Sequence, residues 1–271
     1  MRQALSTLLG HLWRWLALVI VAAVALQLYF VVRVALMAVV DPQSTTFQRS
    51  EAWRLLVEKN HLAWSQQWVP YEHISLQLKR AVIASEDAGF NEHSGVEWDA
   101  LEKAWERNQK AEERVARINA EMERRAARQV PHRPAPTAAA AKPAARAEPK
   151  VVGGSTITQQ LAKNLFLGSE RNWARKGQEF AITFMLESML GKRRILEIYL
   201  NSVEWGEGVF GAEAAARHYF HVSAAQLSPH AAARLAVMLP APKRFEKRPD
   251  SAYVAGRAGT VMARMAAVEM P

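Results

Sequence analysis

Gly153-Gly154-Ser155-Thr156-Ile157-Thr158-Gln159-Gln160-Leu161-Ala162-Lys163-Asn164 opens a helix, and the side chains it gathers bear on both fold and chemistry. Thr156 followed three residues later by Gln159 is a capping box, so the helix starts here, with Ile157, Leu161 and Leu165 on its buried face. Gln159, Gln160 and Lys163 fall on another side. The free amides of the first turn, the Ser155 and Thr156 hydroxyls and Lys163 all point toward one anion. No Gly-Lys-Ser or Gly-Lys-Thr follows the glycines, so a nucleotide P-loop is a poor fit. By itself a glycine turn with a capped helix is more often structural than functional.

Its neighbours change that reading. Upstream, a helix predicted through residues 76–84 delivers Ser85 and then Glu86-Asp87-Ala88-Gly89-Phe90-Asn91-Glu92-His93-Ser94-Gly95, in which Glu86 is a carboxylate able to take a proton. Downstream come Arg171, Arg175 and Lys176, and Glu179 lies four residues after Arg175 and three after Lys176, on one helical face. An acid beside several cations is ordinarily a solvated ion-pair face. Residues 178–190 are otherwise apolar at helical spacing, a core helix. Lys192 to Asn201 begins a further helix on which Glu197 and Asn201 share a face, and Glu197 is expected to brace the fold.

The amino end bears on compartment. Trp15 to Val32 is a run of 18 uncharged, almost wholly apolar residues, about 27 Å long as a helix and enough to span a bilayer core. Arg2 and Arg14 precede it, Trp13 and Trp15 lie at one interface, and Tyr29 and Phe30 lie near the other. The positive-inside rule favours a cytoplasmic amino terminus, although Arg33 follows the run directly. Ala23-Val24-Ala25 resembles a signal-peptidase site, but the apolar run continues well past it. Trp53, Trp64 and Trp68 come next and suit headgroup contact and core burial equally.

The 271 residues carry a formal charge of +9, which fits an anionic partner: nucleic acid, an acidic membrane or a phosphorylated substrate. There is no cysteine, so disulfide frameworks and thiolate metal sites are excluded. Trp98, Leu101 and Trp105 form an i, i+3, i+7 stripe, after which charged, alanine-rich sequence continues the helix to about Gln129. Five prolines between Pro131 and Lys150 mark an extended linker. Asn108 to Lys150 therefore reads as an insertion into one domain, a solvated arm without chemistry of its own.

Taken in order, Glu86-Asp87 with Phe90, His93 and Gly95, then Gly153 to Gln160 with Lys163-Asn164, Arg175-Lys176 with Glu179, and Ile195-Leu196-Glu197 with Tyr199-Leu200-Asn201 resemble the motif series of the peptidoglycan glycosyltransferases, family 51, in their monofunctional form. The resemblance covers roughly Tyr71 to Arg248 and extends through Gly206-Glu207-Gly208 and Leu239-Pro240-Ala241-Pro242. His230 departs from it, standing where an acid is expected before the alanine run.

The resemblance implies a mainly α, lysozyme-like glycosyltransferase domain behind an N-terminal transmembrane helix. Such a domain polymerises lipid II into β-1,4-linked glycan with inversion and loss of undecaprenyl pyrophosphate. Glu86 matches the general base and Glu179 the second acid. Asp87, Phe90, Ser155, Thr156, Gln159, Gln160, Lys163, Arg171, Arg175, Lys176 and Asn201 match the substrate-binding set, and the Glu179 region allows a divalent cation, magnesium or manganese. Implied partners are lipid II, the growing chain, the bacterial inner membrane, with the catalytic domain periplasmic, and other cell-wall synthesis or division proteins; no nucleic acid is expected. The domain plan becomes residues 1–40 for the cytoplasmic start and anchor, 41–70 juxtamembrane, 71–250 catalytic with the 108–150 insertion, and 251–271 a C-terminal helix or tail.

A lytic transglycosylase or lysozyme-like hydrolase is the alternative, since two carboxylates across a glycosidic centre describe those enzymes too. The cation cluster argues against it, because a neutral sugar leaving group has no use for positive charge. The sequence contains neither Ser-x-x-Lys nor Lys-Thr-Gly, so no penicillin-sensitive transpeptidase activity is expected.

Overall fold

The computed structural model describes residues 2–128, 154–168, 170 and 172–271. Gly153, Arg171 and the proline-rich part of the expected insertion lie outside them. In chain order the elements are α1 (Arg2–Leu36), α2 (Thr46–Lys59), β1 (Ser65–Gln66), α3 (Leu76–Glu86), α4 (Trp98–Arg128), α5 (Ile157–Phe166), α6 (Trp173–Met189), α7 (Lys192–Ser202), β2 (Glu204–Gly206), β3 (Val209–Phe210), α8 (Ala212–Phe220), α9 (Pro229–Met238), α10 (Pro242–Phe245) and α11 (Ala252–Met265). The fold is mainly helical, as expected. The chain divides into two compact units, Met1–Val96 with Thr156–Pro271, and Glu97–Ser155.

In the first unit α3, α9 and α11 pack together most closely. Small residues permit the approach: Ala81, Ala84, Ala232, Ala233, Ala236 and Ala258 are all buried there. The Ser75 hydroxyl caps α3, and its buried stripe starts at Leu78 and runs through Val82, while Leu76 faces solvent. Ser228 caps α9 with Pro229 at the first helical position, so His230, in place of an acid, leaves that helix properly started. Residues 252–268 share this core through buried Val254, Ala258 and Val261.

Residues Gly10–Leu36 of α1 are long and apolar enough to cross a membrane, and they are almost wholly uncovered by the rest of the chain. The end of α1 is fixed to the first unit. Phe30, Val34 and Met37 are buried, with Phe30 edge-on to Phe166 at 5.3 Å. Arg194 donates to the Met37 carbonyl at 2.8 Å and pairs with Asp41 at 2.7 Å. Within the apolar stretch Gln27 and Gln178 of α6 exchange amide hydrogen bonds at 2.8 and 3.2 Å. Of the three tryptophans left open by the sequence, Trp53 is exposed, Trp64 stacks on Phe210 at 4.6 Å, and Trp68 lies beneath the Arg194 guanidinium at 5.7 Å.

β1 runs parallel to β3, which pairs antiparallel with β2 across an irregularity at Glu204/Gly206. Gly208 makes the turn at φ +73°, and a Cβ there would lie 2.0 Å from the Ala63 carbonyl oxygen, so only glycine fits.

The second unit is built on α4. Ala104 is buried there while Trp98 and Trp105 are exposed, so the expected Trp98/Leu101/Trp105 stripe is not the buried face. Gly154 explains the difference: its Cα packs so near α4 that a Cβ would be 3.0 Å from that of Ala104.

A mixed-charge cluster joins α2, β2 and α10. Lys243 lies 2.6 Å from Glu51 and 3.4 Å from Glu204. Burial pushes Glu204 up from an ordinary 4.5 to about 7, against the pull of Lys243. An acid whose folded pKa is raised binds its proton more tightly folded than unfolded, so its contribution to stability falls as pH rises from 4.5 through about 7. Glu204→Gln is expected to be more stable than the parent at pH 8, by about 2 kcal/mol, and little changed at pH 5. Denaturant melts of the detergent-solubilised protein at both pH values measure this.

Candidate active site

The site starts where α3 stops. Glu86 is its last residue, and Asp87 follows as the C-cap, its amide still bonded to the Ile83 carbonyl. The Asp87 carboxylate then reaches α5: Oδ2 accepts the Ile157 N–H at 2.9 Å, and Oδ1 meets His93 Nε2 at 2.7 Å. An acidic group at a helix N-terminus gains from the dipole and satisfies a free amide. Thr156 and Gln159 complete the capping box, and the Thr156 hydroxyl also donates to the Gly95 carbonyl at 2.6 Å. Gly95 lies at φ +85°, and a Cβ there would meet Thr183 at 2.6 Å, so the 87–95 loop closes against α6 only as glycine.

This arrangement places Glu86 over α5. Gln160 Nε2 donates to Glu86 Oε2 at 3.1 Å, and the Ser85 hydroxyl reaches Oε1 at 3.4 Å. Burial raises the Glu86 pKa and the neighbouring Asp87 charge adds to it, while the Gln160 and Ser85 hydrogen bonds lower it. The result is a largely buried carboxylate with raised proton affinity, suited to general-base work.

One turn along α5 from Gln160, Lys163 occupies the same face. It keeps solvent access, yet protein crowds its ammonium closely enough for desolvation to lower its pKa. Glu179 pushes that value up, and Arg175 and Lys176 push it down. Glu179 is buried and holds both cations, Arg175 at 3.0 Å through Oε2 and Lys176 through Oε1. Arg175 Nε is buried without a hydrogen-bond partner among the described residues. One carboxylate thus faces three cations, leaving a local positive surplus that suits a diphosphate. Glu179 does not fit a divalent cation, since both oxygens already carry positive partners.

Several expected substrate contacts are placed elsewhere. Asp87 is buried and anchors α5. Phe90 is fully buried beneath the Lys192 ammonium, which also holds the His93 carbonyl at 2.7 Å and Glu187 at 2.9 Å. Thr156 and Gln159 are buried as caps. Asn201 has no exposure: its amide donates to the Val69 and Glu197 carbonyls, and its oxygen accepts the Val69 N–H, all at 2.9 Å. All five are buried and make framework contacts: Asp87, Thr156, Gln159 and Asn201 bond backbone groups, while Phe90 packs in the core. Ser155 belongs to the second unit, and Arg171 lies outside the described residues. Glu197 accepts the Tyr71 N–H at 2.9 Å and pairs with Arg194 at 2.8 Å, the brace expected of it.

Sequence reasoning missed Tyr199. Its side chain is fully buried, and its hydroxyl donates to Gln160 Oε1 at 2.9 Å. Burial and the charges of Glu86 and Asp87 hold its pKa well above the usual value, so the hydroxyl keeps its proton. With its oxygen engaged there, the Gln160 amide turns its nitrogen toward Glu86. The motif displays Tyr199 in the chain, but no spacing rule links α7 to a glutamine on α5.

The transglycosylase family profile matches residues 56–116 and 133–266. The chain is 50% identical over 270 residues to a biosynthetic peptidoglycan transglycosylase of Cupriavidus metallidurans, covering 95% of this chain and 99% of that one. Proteins of the same name from Paraburkholderia xenovorans and Burkholderia pseudomallei are 45% and 47% identical, each over 95% of this chain, and 94% and 88% of their own lengths are covered. With most of the chain matched, and with a carboxylate at the end of α3 and a cation cluster on α5 and α6, the protein belongs to the transglycosylase family.

Proposed function

We propose that this protein is a membrane-anchored peptidoglycan glycosyltransferase that polymerises lipid II into β-1,4-linked glycan strands with inversion, releasing undecaprenyl pyrophosphate. The observation that carries the reading is the series along α5 and α6: Glu86 on Gln160, and one turn further Lys163 facing Arg175, Lys176 and Glu179. Glu86 takes the proton from the acceptor sugar's 4-hydroxyl as its oxygen forms a bond to the donor's anomeric carbon. The bond from that carbon to the diphosphate oxygen breaks on the opposite face. Lys163, Arg175 and Lys176, with Arg171, neutralise the charge that gathers on the departing diphosphate. Gln160 completes the proposed contacts. Hydrolysis of finished peptidoglycan is not favoured, since it would leave the cation cluster without a task.

In this reading α1 crosses the bacterial inner membrane and the catalytic domain lies on its periplasmic side, where lipid-linked sugar and other cell-wall synthesis or division proteins are met; nucleic acid has no part. Residues 108–150 form an insertion without chemistry of its own. Deleting Asn108 to Lys150 is therefore expected to leave lipid II polymerisation by the purified protein largely intact, as read by gel separation of the glycan products.

Glu86→Gln is expected to lower the polymerisation rate by about 100- to 10,000-fold while the protein remains folded and anchored. The parent's rate should fall as pH drops through a value above the ordinary carboxylate range, because the base works only when ionised and its pKa is raised. Tyr199→Phe removes the hydroxyl that orients Gln160. Its expected effect is about a fivefold loss of kcat, the equivalent of one hydrogen bond of about 1 kcal/mol, with KM little changed. The acid limb should move to higher pH, since a loosened Gln160 no longer lowers the Glu86 pKa; a melting-temperature change with an unmoved limb would reduce Tyr199 to packing.

A further inference from the structure

The half of α6 that carries Arg175 and Lys176 adds nothing to the core. None of residues 172–178 is buried, and the first buried side chain of the helix is Glu179. A Cβ on Gly177 would meet nothing within 4 Å, so no other element packs closely there. Among the described residues, the hydrogen bonds and ion pairs of Arg175 and Lys176 stay within their own segment, with Asn172 and Glu179. Gln178 is the residue of this half whose side chain bonds another helix: its amide and that of Gln27 on α1 exchange hydrogen bonds at 2.8 and 3.2 Å.

The end of α1 touches both cation-bearing helices along one stripe. Gln27 and Phe30 are three residues apart and therefore neighbours on the helix surface. Phe30 lies edge-on to Phe166, three residues after Lys163 in α5, while Gln27 bonds Gln178, two residues after Lys176 and one before Glu179. Gln27 is also the one amide side chain in the apolar run from Trp15 to Val32. A single amide is costly where water is scarce, so the reciprocal pair is held firmly. The geometry is sensitive to that hold: at a helix radius of about 5–6 Å, a roll of about 10° moves a surface group by about 1 Å. A misplacement of that size can cost about a hundredfold in rate.

We propose that Gln27 is a positioning residue for the glycosyl transfer: through Gln178 it sets the roll of α6, and with it the place where Arg175 and Lys176 meet the departing diphosphate. The apolar helix is then part of the framework of the site as well as an anchor. The inference rests on the proposed function, which gives the cations that task. Gln27 touches no reacting atom. It acts through α6, whereas Glu86 is held by Gln160 on α5 and keeps its place when the amide pair is lost.

Gln27→Met and Gln178→Met keep an unbranched side chain of similar length and remove the amide, each from one side of the bond, so either variant tests it. The full-length proteins are reconstituted into phosphatidylethanolamine–phosphatidylglycerol vesicles, and lipid II polymerisation is followed against substrate concentration and pH. Each single variant is expected to lose about tenfold in kcat with KM changed by less than about twofold, because the cations act on charge that develops in the transition state. The double variant should be within about twofold of either single one, since both remove the same bond. The acid limb set by Glu86 should stay in place, and Leu26→Met, at an exposed neighbour on α1, should keep the parent's rate. Parent-like kcat in either single variant overturns the inference and leaves the proposed function standing. So do losses that multiply in the double variant, an equal loss in Leu26→Met, or an acid limb moved to higher pH, because a general loosening of the domain would release Gln160 from Glu86 as well. Failure of the parent itself to polymerise lipid II overturns the proposed function and the inference together.

Discussion

The carboxylate of Asp87 holds the site together. It bonds the first free amide of α5 and the His93 ring at the same time, so the end of α3, the start of α5 and the loop between residues 87 and 95 share one buried ion. Removing that charge would leave an unsatisfied helix terminus and an unpaired imidazole in the interior, which explains why an acid occupies a position that never meets solvent. Because Glu86 is the adjacent residue, its place over Gln160 is a consequence of how Asp87 is anchored.

From that anchor the chemistry is laid out along a single rod. An α-helix is stiff over its ten residues, so Gln160 and Lys163 keep their separation, and with it the separation between Glu86, the proposed proton acceptor, and the cations. The surrounding framework serves the same end. Tyr199 orients the Gln160 amide, Lys192 holds the 87–95 loop from below, and Glu179 gathers Arg175 and Lys176 without neutralising them. The cations cost little to assemble because one buried carboxylate holds two of them and Lys163 retains access to water.

Membrane attachment belongs to the same construction. α1 ends by docking Phe30, Val34 and Met37 into the core, and Arg194 secures the Met37 carbonyl, so the anchor is joined rigidly to the catalytic helices.

The local elements were legible along the chain because their signals are local: the Thr156/Gln159 capping box, the apolar span of α1, the i, i+3 and i, i+4 ion pairs of Glu179, and the bracing role of Glu197. The surroundings of other residues were not legible. Asp87, Phe90 and Asn201 carry motif identity, yet whether such a residue faces substrate or core depends on which backbone groups lie opposite, and these come from α5, α7 and the chain near Val69. The Trp98/Trp105 stripe failed for the same reason, since Gly154 packs on Ala104 from some fifty residues away. Sequence alone determined where helices start, which segment is apolar enough to cross a membrane, and which acids and cations are available. Only the tertiary structure decided which of those groups share one face of α5 and which are buried, because hydrogen bonds between distant segments, such as Tyr199 to Gln160 and Gln27 to Gln178, leave no periodic trace in the order of residues.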